Sequence, residues 1–195
     1  ENQPLKHTRL TELSRLDSLE KTDLVSMWPT VPANRRLDIL IRLDEIAEQD
    51  LEFDFSTVFI IGLQDQDERI REKAILALWE VDDRSIIRPL TELLMNDPVV
   101  NVRTAAAISL GKFAMMAQDG KLIPKDHQHI RTSLLTVIES TDEVFEVWRR
   151  ALESAAIFGE PDVDDLIRKT HDSDDVKLKQ SAIFAMGQSS EERWL

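Results

Sequence analysis

The side chains that most often do chemistry are few in this sequence, and their spacing is unproductive. There are four histidines, His7, His127, His129 and His171, followed in turn by Thr, Gln, Ile and Asp. No His-Glu-x-x-His is formed, so a zinc site on one helix face is not expected. His127 and His129 stand two apart, which on a helix turns them to different faces. Asp162, Asp164, Asp165, Asp172, Asp174 and Asp175 crowd the C-terminal part, but without the Gly and terminal Glu of a calcium loop. Helix capping and a solvated acidic face account for them better. There is no cysteine, which removes disulfides, thiolate metal sites and a thiol nucleophile. Neither a G-x-S-x-G turn nor a glycine-rich phosphate loop occurs. The sequence therefore predicts no catalytic residue, no metal, no cofactor and no enzyme.

Composition narrows the partners. The chain has 195 residues, 42% hydrophobic and 31% charged, with five Gly and seven Pro. That is enough apolar content for a core and too little Gly and Pro for a disordered linker. The net charge is −13. Nucleic-acid affinity rests on phosphate neutralisation, and no Lys/Arg run exceeds a pair such as Arg35–Arg36 or Arg149–Arg150, so nucleic acid is not expected as a partner. An acidic surface favours a basic protein partner or, more commonly, simply confers solubility. No apolar run reaches membrane-span length and no signal-peptide core is visible, so a cytoplasmic protein with no membrane contact is expected.

The elements that would carry any surface are helical. Leu10, Leu13, Leu16 and Leu19 recur at helical spacing, and Leu24, Val25 and Trp28 continue an apolar face up to Pro29. Ala33 to Gln49 is amphipathic through Leu37, Leu40, Ile41, Ile46 and Ala47. Residues 1–53 read as a divergent capping helix pair, and residues 54–195 as repeats. Asp54 is a candidate cap for a helix from Phe55 to Leu63, and Glu68–Val81 follows after a turn. Ile86–Met95 comes next, then a helix opened by Asp97 as cap and Pro98 in its first turn. The stretch Gln118–Lys125, with Gly120 and Pro124, reads as a loop able to carry contacts. Further helices follow through Ile138, up to Phe158–Gly159, from Pro161, and to Gly187. No alternating strand pattern is present.

Three stretches are copies of one another: DQDERIREKAILALW from Asp65, DPVVNVRTAAAISLG from Asp97 and SDDVKLKQSAIFAMG from Ser173. Their pattern, D-x-x-x-x-V/I-R-x-x-A-x-x-A/S-L-G, resembles HEAT repeats, and in particular the bacterial phycobilisome-lyase HEAT-like family. Asp97, Val102, Arg103, Ala106, Ser109, Leu110 and Gly111 match it throughout. Trp79 replaces the glycine of the first copy, and the copy around Val147, Arg149–Arg150, Ala151 and Gly159 is loose and shifted. The resemblance implies an all-α, right-handed α-α superhelix of about five helix pairs, spanning roughly Asp54 onward. It implies that Arg103 belongs to a structural ladder and that the side of the second helix carrying Trp79 lines the concave face.

On that basis Trp79 becomes an exposed aromatic anchor, and Glu72, Asp83, Thr104, Trp148 and Gln180 complete the candidate partner-binding set. The implied function is a non-enzymatic scaffold or adaptor that presents a concave acidic face to another protein. The alternatives are an accessory subunit of a chromophore lyase or other protein-modifying enzyme, and a HEAT-like DNA-binding enzyme. Ser189–Ser190 reads as a new helix start leading into Trp194–Leu195. This predicts either a longer array or self-association through the uncapped face bearing Ile183 and Phe184.

Overall fold

The structure, a computed structural model, describes residues 4–189 and Trp194, and among them every regular element is helical. Among the described residues eleven α-helices are formed: α1 (His7–Leu10), α2 (Ser18–Met27), α3 (Ala33–Gln49), α4 (Ser56–Gly62), α5 (Glu68–Ala77), α6 (Ile87–Asn96), α7 (Val100–Gln118), α8 (Pro124–Glu139), α9 (Phe145–Ala155), α10 (Pro161–His171) and α11 (Val176–Ser189). They gather into two compact units, Glu1–Val81 and Asp82–Leu195.

In the first unit the leucine spacing of the N-terminus does not make one amphipathic helix. Arg15 takes φ 53° and turns the chain after a 3₁₀ turn over Thr11–Leu13. Only Leu10 of the four leucines is buried, and Leu19 is almost fully exposed. A new helix starts instead where Asp17 accepts the Leu19 and Glu20 amides while the Glu20 carboxylate accepts the Asp17 amide. This reciprocal box is spelled D-x-x-E in the sequence. Trp28 closes that segment and is buried. Helix α3 then buries Arg36, Leu40, Leu43 and Ile46, one stripe at helical spacing, and it packs against α5, as does α4. Asp54 does not cap α4 as a helical N-cap. It accepts the Ser56 amide at 2.9 Å from one residue further out, and Phe55 is the boundary residue.

In the second unit each helix pair packs internally, α6 on α7, α8 on α9 and α10 on α11. Like helices also pack on like: α7, α9 and α11 form one layer, while α6 packs on α8 in the other. The stripe Val102, Ala106, Ser109, Leu110 and Phe113 of α7 is buried along its whole length. Burying a side chain of the Leu or Phe class stabilises by about 1.5–3 kcal/mol, and the alanines between let α7 and α9 approach. Gly111 is part of that approach and does not end the helix, which runs on to Gln118. A Cβ at Gly111 would lie 2.8 Å from the Ser154 Oγ. Asp97 and Pro98 lie outside α7, whose boundary residue is Val99. Asp97 is buried and accepts the Val99 amide at 2.9 Å. The region expected as a long loop is short: α7 has taken Gln118, α8 begins at Pro124, and only Asp119–Ile123 connects them. Gly120 turns there at φ 71°. Gly159 does end a helix, in the left-handed conformation that glycine favours. Gly187 lies inside α11. Ser189 is the last residue of α11 and donates to the Met186 carbonyl. The helix expected to follow it lies, Trp194 apart, outside the described residues.

Candidate functional site

The copied stretches position their polar residues alike. The Asp65 and Asp97 carboxylates and the Ser173 hydroxyl each accept the amide two residues on, at 2.9, 2.9 and 3.1 Å. Arg71 and Arg103 reach back to the carbonyls of Asp65 and Asp97, at 2.7 and 2.8 Å. Arg103 also donates to Glu143, in the turn before α9, at 2.8 Å. Arg36 of α3 does the same to Asp65, in the turn before α5. Arg103 and Arg36 thus each tie one helix pair to the next, and for Arg103 this is the ladder the resemblance implied. Burial opposes ionisation of Asp65. Hydrogen bonds from Arg36, the Asp67 amide and Trp28 outweigh it and hold the carboxyl below its ordinary value. The Arg69 guanidinium holds Asp67 at about 2.

Several of the histidines and aspartates have structural partners. His129 shares a 2.7 Å hydrogen bond with Thr91, and the His127 ring stacks on Phe158 at 5.1 Å. Asp175 accepts the Lys177 and Leu178 amides and so starts α11. Among the described residues no three metal-ligating side chains converge.

The predicted contact residues sit in different local settings. Trp148 is partly buried and donates its indole N–H to the Ile138 carbonyl at 3.0 Å, which locks α9 to α8. Thr104 is partly buried and its hydroxyl donates to Val100 of its own helix. Asp83 is exposed and accepts the Ser85 amide at the head of a 3₁₀ turn. Gln180 is exposed on α11, and Glu72 is partly exposed on α5. Trp79 does not lie on a helix at all: α5 ends at Ala77, so it is not on the side of the second helix that the resemblance implied. It is nevertheless 51% exposed.

Trp79 belongs to an open cleft of about 780 Å³ in the first unit. Ala47 and Glu48 from the last turn of α3 and Leu76 and Ala77 from the last turn of α5 form two of its walls. Leu51, Phe53, Asp54, Phe55, Ser56 and Phe59 close it. Phe53 stacks on buried Phe55, ring centres 5.9 Å apart, at its base. Leu51, Leu76 and Trp79 are each more than half exposed there, at 87%, 57% and 51%. Four carboxylates, Asp44, Glu48, Asp54 and Glu80, stand among the lining residues, and no Lys or Arg does. Asp44 is held by Lys73. The sequence signal for this site is Leu51-x-Phe53-x-Phe55, apolar residues inside what reads as a break between helices.

Leu76 is also one of a set. Leu76, Ile108 and Phe184 lie at the same offset from Asp65, Asp97 and Ser173. All three are exposed, on α5, α7 and α11. The repeat therefore places a large apolar side chain in solvent at a constant position of three of its second helices, which folding alone does not require.

Stacked helix pairs of this kind define an α-solenoid, and the comparisons with known proteins agree. Residues 56–123 match the family model described as HEAT repeats, so this part of the chain consists of HEAT repeats. Among solved structures, a designed armadillo repeat protein in complex with the peptide (KR)4 is 13% identical, with 94% of this chain and 91% of that chain covered and a TM-score of 0.54. An engineered protein is 18% identical, with 93% and 87% covered and a TM-score of 0.55. The complex of CpcE and CpcF of phycocyanin lyase from Nostoc sp. PCC7120 is 17% identical, with 98% and 80% covered, at a TM-score of 0.49. The first two establish a HEAT/armadillo-like fold. No curated protein matches the sequence. No helix among the described residues is long and apolar enough to cross a membrane.

Proposed function

We propose that the chain is a non-enzymatic scaffold of the cytoplasm that binds another protein through exposed apolar positions of its second helices. The observation that carries this reading is the recurrence of Leu76, Ile108 and Phe184 in solvent at one repeat position, with Trp79 and the aromatic cleft beside the first of them. Interface hot spots are built from such aromatic and aliphatic anchors. The negative charge of the chain favours encounter with a cationic partner. A designed armadillo repeat protein of the same fold was solved with a basic peptide bound, which is in keeping with a protein or peptide as the ligand here.

The test is affinity capture with the whole chain and with a Leu76→Asp, Ile108→Asp, Phe184→Asp variant, at low and high salt. Identified proteins are then purified and titrated against both forms. A partner held by the parent chain and lost by the variant supports the reading. The absence of any protein held by the parent at either salt, or equal binding by both forms, overturns it.

A further inference from the structure

The cleft of the first unit says more than that a protein binds. Resting on the scaffold reading above, we propose that this cleft takes a peptide segment carrying one large apolar side chain flanked by lysine or arginine. The apolar residue lies over Phe53 and Trp79, and the cations face Glu48 and Glu80.

Four observations lead there. The floor and walls are apolar where they are deepest, with Phe55 and Phe59 buried and Phe53, Leu76 and Trp79 accessible above them. An inserted aliphatic or aromatic side chain would remove the exposed area of Leu51, Leu76 and Trp79 from water. The charge of the lining has one sign. Asp44 is satisfied by Lys73 and Asp54 by the Ser56 amide, whereas Glu48 and Glu80 are exposed and make no ion pair among the described residues. An acidic or phosphorylated segment would be repelled by Glu48 and Glu80.

The backbone adds to the same field on two of the walls, while the short helix α4 begins at Ser56 on a third. Helices α3 and α5 both direct their C-terminal turns at the cleft through Ala47, Glu48, Leu76 and Ala77. The C-terminal end of a helix carries about half a negative charge and favours cations. Finally, the cleft is open and about 780 Å³ in volume. That admits a few consecutive side chains, and the lack of enclosure argues against a small molecule buried on most of its surface.

The decisive experiment is selection of a random phage-displayed peptide library on the whole immobilised chain. Enriched peptides are synthesised and titrated against the parent, Trp79→Ala and the pair Glu48→Lys, Glu80→Lys, each at low and high salt. The expected motif combines Leu, Ile, Phe or Trp with Lys or Arg. Trp79→Ala weakens it about thirtyfold or more, as loss of a hot spot does. The glutamate pair weakens it about tenfold at low salt and less at high salt. If Trp79→Ala is unfolded by circular dichroism, Leu51→Ser takes its place, since Leu51 is 87% exposed. Cleft-dependent peptides that lack Lys and Arg, or that bind the double lysine variant as well as the parent, overturn the charge assignment and leave the scaffold reading standing. Enrichment of no peptide sensitive to Trp79 or Leu51 overturns the cleft as a site. The Leu76, Ile108, Phe184 variant then decides separately whether a protein binds elsewhere.

Discussion

Arg36 and Asp65 meet as a bidentate pair, Nε on Oδ2 at 2.7 Å and Nη2 on Oδ1 at 2.8 Å, with both side chains almost wholly removed from water. The Trp28 indole N–H donates to the same Oδ2 at 2.7 Å. One carboxylate therefore joins α3, the segment after α2 and the turn before α5. Asp65→Ala would leave the guanidinium buried without its counter-charge. The expected loss is about 3–5 kcal/mol, read as a fall in the urea midpoint with an unchanged m-value.

The acid response follows from the signs of the carboxylate shifts. Asp65 and Asp67 both ionise below their ordinary value of 3.8 in the folded chain, Asp67 at about 2. A depressed folded value contributes stability that is complete above the unfolded value and is lost as pH falls through the folded one. Stability should thus decline as pH drops from about 4 toward 2, and the decline should be shallower in Asp67→Asn. Urea midpoints taken between about pH 5 and about pH 2 check this; an equal slope in both proteins would count against it.

Two glycines at related positions should respond in opposite directions. Gly111→Ala drives a methyl to within 2.8 Å of the Ser154 Oγ, and that hydroxyl is engaged with the Ala107 carbonyl at 2.8 Å. Destabilisation of about 1–3 kcal/mol is expected. Gly187→Ala meets nothing within 4 Å inside α11 and should gain about 0.5–1 kcal/mol. Thermal melts of the two variants settle the contrast.

The two exposed-looking tryptophans should separate by what they disturb. Trp148→Phe forfeits the bond to Ile138 and is expected to cost about 1 kcal/mol of stability with binding retained. Trp79→Ala is expected to weaken the cleft peptide about thirtyfold or more while the chain still melts cooperatively. Differential scanning calorimetry beside the peptide titration distinguishes them.

The repeat made the fold legible because burial obeys it: Val102, Ala106, Ser109, Leu110 and Phe113 are the seam the spacing describes. What sequence periodicity could not supply was where each helix stops. Helix α5 stops at Ala77 because the chain turns through Leu78–Glu80, so Trp79 does not lie on the second helix as the resemblance implied. The consensus glycine looked like punctuation, but Gly111 is mid-helix and answers to Ser154 on another helix, a contact with no signature along the chain. Trp148 was half a reading for the same reason: its partner, Ile138, belongs to the preceding helix. The cleft was hidden because its aromatic base lies in a connection and its walls come from two helix ends distant in sequence.

The brief Asp119–Ile123 connection has a practical side. Lys121 projects from it and pairs with Asp119 across a surface ion pair whose loss should scarcely register. Because the sequence holds no cysteine, Lys121→Cys would install a solitary thiol. A maleimide dye would then settle at one known address, giving a fluorescent reporter for titrations without any background labelling to remove.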